Sequence, residues 1–420
     1  MLKNDVIVNA SLIFLCKSKE VMVIKPAVII LILCTLIYFQ TTSAFACTLV
    51  GATGGSTIDG NTLIASTSDN PYIPGPRKPV MLTIPKDGGY KFVHTPCIIQ
   101  EPEGDFFDVG SDRGMNETGF CWTRSWVVPN EAENIEKTNA VDWFLKMGAT
   151  VSTVEEAIVF VKENPKGFGC QGNYIFGDAK GNLAVVEVGF ETVTVVEKWS
   201  KSDNGLVARA NRWESEAMKP LDISAENNAT YYNTSEYRYN RAMELLTEAS
   251  GNITAEKMKS IISDRNMSAD PTMPHLNSIN NHGTTDGTIS AEIYDPTNLT
   301  FWYAYGWIDG DTKDSIPGTY GENTNSWGTW VPFVLSEMTE EGYYTTWEGE
   351  ITPIGTRYLM KINARNNGLS QTVEKQAAMV EEFQQIPEAK NRISKLAVAC
   401  AIISLVLATW VIVLLKQKRR

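Results

Sequence analysis

Residues 47–71 read CTLVGATGGSTIDGNTLIASTSDNP. Two arms with strand character, Leu49 to Thr53 and Thr62 to Ser66, flank Asp59-Gly60, a pair that favours hairpin turns. Gly51, Gly54 and Gly55 in the first arm are followed by no GK[ST], so they are not a phosphate loop. They mark a bulge or a close approach of backbones. With Asp59 and Gly60 at the centre of the turn, facing positions sum to about 119. Cys47 then faces the region of about position 72, and one bulge among the glycines brings this toward about 70. Asp69 is thereby expected at the open end of the hairpin, beside Cys47, where a carboxylate can hold and orient an ammonium group. The same residues, Ser68-Asp69-Asn70-Pro71, also suit a turn capped by the Asp69 side chain. Both readings stand at this point.

Cys47 follows Ala44-Phe45-Ala46, the small-x-small pattern behind which signal peptidases cut. Upstream lie Lys25, the apolar run Ala27 to Phe39 and the polar Gln40-Thr41-Thr42-Ser43. Residues 1–46 are expected to be a signal peptide, with the true start at Met22. Cleavage would put a thiol and a free α-amine on one residue. That amine has an ordinary pKa of roughly 7.7–8, so much of it is neutral near pH 7 and can take the thiol proton. An ordinary signal junction that falls before a cysteine is the alternative. A lipid anchor on Cys47 is a third, which Ala44 and Phe45 fit poorly.

Leu396 to Leu415 carries no charge and has the length of a bilayer-spanning helix. Lys416, Lys418, Arg419 and Arg420 follow, which by the positive-inside rule stay cytoplasmic. The expected layout is a globular domain at 47–365, a polar stalk helix at 366–395, a transmembrane helix at 396–415 and a basic cytoplasmic tail at 416–420. The domain would lie outside the cell membrane as a single-pass protein. The net charge of −12, with no basic run outside the tail, argues against nucleic acid as a partner. Outside the membrane segments lie Cys47, Cys97, Cys121 and Cys170, too widely spaced for zinc. A disulfide among the last three suits an oxidising compartment. His94, His275 and His282 show no ligand spacing, so no metal centre is expected, and a Cys-His dyad stays open without a local signature to support it. Sequons at Asn116, Asn228, Asn233, Asn252, Asn266 and Asn298 are compatible with a glycoprotein.

Apolar spacing predicts helices over Val141 to Met147, Thr153 to Lys162, Tyr237 to Ala249 and Ala255 to Ile262, with Ser152 or Thr153 as an N-cap. Strands are expected at Asn173 to Phe176, Leu183 to Val188, Thr192 to Trp199, Thr288 to Tyr294 and Thr300 to Gly306. Residues from about 310 to Trp330 read as surface loop. Trp122, Trp126, Trp302, Tyr303, Tyr305 and Trp307 suit strand packing first and an apolar acyl pocket second.

Taken together, several of these stretches resemble the N-terminal-nucleophile (Ntn) amide hydrolases. This group includes choloylglycine hydrolases, penicillin acylases, related dipeptidases and penicillin acyltransferase-like proteins. The resemblance covers about residues 47 to 305. It rests on residues 47–71, on Gly114-Met115-Asn116-Glu117-Thr118-Gly119, and on Gly172-Asn173-Tyr174-Ile175-Phe176-Gly177-Asp178 with Glu187. Ala208-Arg209-Ala210-Asn211-Arg212-Trp213 and Tyr237-Arg238-Tyr239-Asn240-Arg241 complete it. It implies an α+β fold, the four-layer αββα sandwich. It also implies acyl transfer through a thioester on Cys47, cleaving or transferring small linear amides or peptides. Cys47 would be nucleophile and base, and Asp69 would orient the amine. Asn173 and Asn211 would hold substrate or oxyanion, Arg238 would be a structural or electrostatic partner near the thiolate, and no cofactor would be needed. Many members carry Arg three residues before the Asp, where this chain has Ser66. A basic group would then come from elsewhere, with Arg209 and Arg238 as candidates. A non-catalytic surface binding protein on the same fold is the alternative that Ser66 favours.

Overall fold

A computed structural model describes residues 47–71, 78–100, 106–108, 110–127, 129–130, 140–167, 169–223, 229–264, 278–280, 286–305, 330–346 and 351–365. The signal segment, the 306–329 stretch, the stalk, the membrane segment and the basic tail lie outside the described residues. No helix among the described residues is long and apolar enough to cross a membrane.

The first strands are β1 (Leu49–Gly54), β2 (Gly60–Pro71), β3 (Met81–Thr83), β4 (Phe92–His94), β5 (Ile98–Gln100), β6 (Phe106–Asp108), β7 (Gly114–Asn116) and β8 (Cys121–Ser125). Helices α1 (Ala140–Thr150) and α2 (Val154–Glu163) follow, then β9 (Gly172–Gly177), β10 (Leu183–Val188), β11 (Val193–Trp199) and β12 (Asn204–Arg209). Next come helices α3 (Ala229–Ala249) and α4 (Ala255–Ile262), and β13 (Asp286–Asp295), β14 (Thr300–Tyr305), β15 (Val331–Val334) and β16 (Gly342–Tyr343). A last helix covers 353–365.

A six-stranded sheet runs β12-β1-β2-β13-β14-β15, and an eight-stranded sheet runs β11-β10-β9-β8-β7-β4-β3-β16. Side chains alternate across a strand, so each sheet has two faces to bury. Val50, Ala52, Leu63, Ala65 and Ile293 pack on Ala242 and Leu246 of α3 and on Met258 and Ile261 of α4. Their neighbours Leu49, Ile64 and Tyr294 point the other way, onto Met115, Ile175 and Val185 of the second sheet. The far face of that sheet, through Trp122, Tyr174 and Val186, covers Trp143, Phe144 and Val161 of α1 and α2. The result is helices, sheet, sheet, helices: the expected α+β sandwich. Trp122, Trp302 and Tyr303 are buried in these cores, which is the packing reading of the aromatics.

Several local expectations hold. Helix α4 and strand β10 have the expected bounds. Thr153 is the cap of α2, its hydroxyl accepting from Glu156 N at 3.2 Å. Helix α3 begins earlier than expected, at Ala229. Cys47, Cys121 and Cys170 are thiols, not disulfide partners. The sequon residue Asn116 is buried, and its amide nitrogen donates to Gly148 O at 2.9 Å and Val151 O at 2.6 Å. That position is therefore spent on joining β7 to the end of α1, not on carrying a sugar.

The hairpin register differs from the expectation. Leu49 faces Ser66 and Val50 faces Ala65, so facing positions sum to 115 and Cys47 is carried toward Ser68. The loop from Gly55 to Asp59 is longer than a two-residue turn. Thr57 closes it, with N donating to Gly54 O at 3.0 Å and Oγ1 to Asn61 O at 2.9 Å. Ser68 to Pro71 is not a capped turn either. It continues β2, because β13 supplies a second partner, with Asp69 facing Thr288.

The glycine reading holds at Gly54, where the register shifts and φ is +61°. A Cβ there would lie 1.9 Å from the carbonyl oxygen of Asp203. At Gly60, with φ of +72°, it would meet only the flexible Lys201 Cε at 3.3 Å. Gly54→Ala should therefore lower unfolding free energy by about 3 kcal/mol and Gly60→Ala by about 1 kcal/mol in urea titrations. Equal losses would contradict this account of the bulge.

Candidate active site

Cys47 sits at the entrance to β1, 6% exposed, between β2 and β12. Thr48 fastens it to β2, with Thr48 N donating to Thr67 Oγ1 at 3.0 Å and Thr67 N to Thr48 O at 2.9 Å. Strand alternation then decides the surroundings. Leu49 faces the other sheet and Val50 the helices. One step back, Thr48 must face the helices, and Cys47 the space between the sheets.

The contacts agree. From the helix side, buried Arg238 of α3 donates to Thr48 Oγ1 at 3.1 Å and to the carbonyl oxygen of Cys47. Asn211, just past β12, accepts from Cys47 N through Oδ1 at 2.6 Å. The same oxygen accepts from Arg238 Nη2 at 3.2 Å, and Asn211 Nδ2 donates to Trp126 O at 3.0 Å. Arg238 is thus placed on the backbone of Cys47 and on Asn211.

The cation on the thiol side is Arg113, which the sequence analysis did not single out. It is fully buried just before β7, and Cys47 is among the groups whose charge acts on it. Its Nε donates to Ser66 Oγ at 2.9 Å, Nη2 to Thr67 O at 2.9 Å and Nη1 to Asp112 Oδ1 at 2.8 Å. Burial opposes its charge, but Asp112, Cys47 and Glu292 outweigh this and hold it well above the usual guanidinium value. Asp112 also takes Lys78 at 2.5 Å and Arg124 at 3.2 Å. Burial would raise its pKa, yet Arg113, Lys78 and Arg124 hold it well below the carboxylate range. Glu292, which faces Ser66 across β2 and β13, has its pKa raised by burial against the pull of Arg113 and Lys78. Arg209, a candidate basic group from the sequence, instead turns to Ala208 O at 2.7 Å and to Glu197 at 3.9 Å.

Asp69 is fully buried on β2, and its Oδ1 accepts from Thr288 Oγ1 at 2.5 Å. Asn173 lies one layer away. Its Nδ2 donates to Ala210 O at 2.7 Å, Arg212 O at 3.0 Å and Ser125 Oγ at 3.2 Å. It therefore grips the main chain on both sides of Asn211. Glu187, its neighbour across β9 and β10, accepts from Glu214 N at 2.7 Å and from Ser215 Oγ at 2.5 Å. Two adjacent side chains of the eight-stranded sheet thus set the segment that presents Asn211. His94 spends both ring nitrogens on Thr83 Oγ1 and Ser111 Oγ at 2.8 and 2.5 Å, and burial lowers its pKa to about 3. It is neutral and engaged elsewhere, so it is not the base of a Cys-His dyad. Among the described residues no group of side chains could hold a metal ion.

No curated protein matches the chain. Among solved structures, it is similar to a mutant of the conjugated bile acid hydrolase from Clostridium perfringens. The identity is 12% and the TM-score 0.45, over 73% of this chain and 98% of that one. It is also similar to penicillin V acylase from Agrobacterium tumefaciens, at 15% identity and a TM-score of 0.39, over 62% and 83% of the two chains. The family model for acyl-coenzyme A:6-aminopenicillanic acid acyl-transferase matches residues 60–307, a span that contains Asp69, Arg113, Asn173, Asn211 and Arg238 and begins after Cys47. That span is more than half of the chain, and this protein belongs to the acyl-coenzyme A:6-aminopenicillanic acid acyl-transferase family, within the Ntn group of linear amide hydrolases.

Proposed function

We propose that this protein is a membrane-anchored, extracytoplasmic cysteine amidohydrolase or acyltransferase that works through a thioester on Cys47. The observation that carries this reading is the treatment of one residue. The nitrogen and carbonyl of Cys47 are held by two buried polar side chains, Asn211 and Arg238, and a third, Arg113, places its charge beside the residue. A merely structural cysteine does not call for three such partners.

In this reading, cleavage behind Ala46 turns the Cys47 nitrogen into an amine that Asn211 Oδ1 already faces. The neutral amine takes the thiol proton, and the thiolate attacks the carbonyl carbon of a linear amide. The resulting ammonium returns its proton to the leaving nitrogen as the C–N bond breaks, which leaves a thioester. Water or an acceptor amine then attacks the thioester, and the acyl group leaves as acid or new amide. Asp69 is assigned to the amine. An amide nitrogen carries two protons. Asn211 Nδ2 sends one to Trp126 and has a second for the oxyanion, whereas Asn173 Nδ2 already serves three protein acceptors. Asn211 is therefore the better oxyanion donor, and Asn173 positions it. Anchoring rests on the charge-free Leu396 to Leu415 and the basic residues after it.

The N-terminal peptide of the mature protein is expected to begin at an unmodified Cys47 in mass spectrometry. Cys47→Ala should abolish turnover of a panel of chromogenic acyl-anilides while thermal unfolding stays cooperative. Surviving turnover would eliminate the mechanism. A folded wild type with an acylated or blocked Cys47 would favour a non-catalytic binding protein on this fold.

Asn211→Ala should lower kcat about a hundredfold through loss of an oxyanion donor. Asn173→Ala should lower it about tenfold, by loosening the 210–212 segment, with a smaller change in KM. A larger effect at Asn173 than at Asn211 would reverse the two assignments.

A further inference from the structure

Ser66 lies on β2 between Leu49 and Glu292, on the face of the sheet that Cys47 shares, and carries only a short hydroxyl. The space beside it is filled from the opposite sheet. Arg113 enters from the segment before β7, and its Nε lies 2.9 Å from Ser66 Oγ. Ser66 Oγ also bonds Glu292 Oε2 at 3.2 Å, so a small hydroxyl links the guanidinium to the floor of β13. The main-chain oxygen of Thr67, at 2.9 Å, fixes the other arm of the fork. Arg113 is thereby held in one orientation on Ser66 and Thr67, the two positions before Ser68 toward which Cys47 is carried, and Cys47 is among the groups acting on its charge.

The charges around it are uneven. Lys78, Arg113 and Arg124 are three buried or nearly buried cations, and Asp112 and Glu292 are the carboxylates that face them. Among the described residues of this cluster, three cations face two carboxylates, an excess of one positive charge even with both carboxylates ionised. Buried charge of one sign is costly unless a counter-charge is supplied. The Cys47 sulfur, ionised, is an anion in the right place. On the other side of the strand, Arg238 serves the Cys47 carbonyl, and Asp69 lies on β2 with Thr288.

The geometry points to Arg113 as a catalytic residue that stabilises the thiolate of Cys47, delivered in trans across the two sheets in place of a basic residue at position 66. This rests on the amidohydrolase reading for its place in turnover, but its effect on the thiol is separate. Arg113 offers a fixed positive charge, and Ser66 is the small residue that makes room for it. An arginine at position 66 and Arg113 would compete for the same volume. Position 66 and position 113 are therefore expected to behave as a coupled pair.

The test is the pH profile of Cys47 alkylation by iodoacetamide in the mature full-length protein, read by mass spectrometry of the N-terminal peptide. Arg113→Ala should slow alkylation about tenfold near pH 6 and leave it nearly unchanged near pH 10, above the ordinary range of cysteine thiols. Arg113→Lys, which keeps the charge and loses the fork, should fall between. The double variant S66R/R113A should recover most of the lost rate near pH 6, while S66R alone should unfold at a lower temperature from overpacking. A folded Arg113→Ala protein with the wild-type profile would overturn the proposal. So would a double variant that folds without recovering the rate, and this arm decides the matter if Arg113→Ala does not fold. If wild-type Cys47 shows the Arg113-dependent profile but no acyl-anilide is turned over, the amidohydrolase reading fails and the Arg113 assignment stands.

Discussion

Everything near Cys47 depends on the double pairing of β1, with β2 on one side and β12 on the other. A strand held on both edges cannot rotate, so its alternation is enforced. Thr48 is committed to the helices and Cys47 to the gap between sheets. The two arginines of the site are separated by the same rule. Arg238 arrives from the helical layer and reaches backbone, while Arg113 arrives from the second sheet and reaches Ser66 and Thr67 of β2, beside Cys47. A slip by one residue would exchange the two environments and leave the thiol among apolar helix side chains.

The gap between the sheets is an unusual place for charge. Most of it is the apolar core built on Ile64, Met115, Ile175 and Phe301. At one end it holds Arg113, Asp112, Lys78 and Glu292, all at most 7% exposed. Paired charges in such a place roughly break even against apolar packing, whereas removing one partner of a buried pair costs about 3–5 kcal/mol. Mutual pairing accounts for how the cluster is tolerated, not for why it is there. In the proposed reading the reason is Cys47 beside it, since a nucleophile needs a preset electrostatic environment more than it needs a dry one.

Several individual elements were legible in the residues, whereas the order of the layers came only from the family resemblance. Strand β10 and helix α4 carry their own periodicity, and Thr153 and Gly54 announce a cap and a bulge through their chemistry. What was not legible was set by distant partners. The hairpin register went astray because Asp59-Gly60 looks like a complete turn, while the real loop is closed by Thr57. Asp69 reads equally as turn or strand until β13, more than two hundred residues later, pairs with it. Strand β12 was hidden by a polar, glycine-containing start. Arg113 gave almost no signal. Two adjacent opposite charges before a short apolar segment, Asp112-Arg113 ahead of Gly114-Met115, were the one available hint, and it becomes informative only once the sheets are stacked. Asn173 was visible through its family motif, but its grip on both flanks of Asn211 is a property of three dimensions.

The Ser66–Glu292 bond spans 226 positions of the chain. Long-range pairing of this kind must close a large loop before any contact rewards it, and such folds form slowly. On a ribosome, β1 and β2 emerge early and wait, with their edges open, until β12 and then β13 have been made. Cys47 is therefore among the first parts synthesised and among the last to be enclosed. During that interval the thiol is an ordinary cysteine without the neighbours that surround it in the fold. If Cys47 is the proposed nucleophile, the length of the detour through the second sheet acts as a delay that ties its reactivity to completion of the domain.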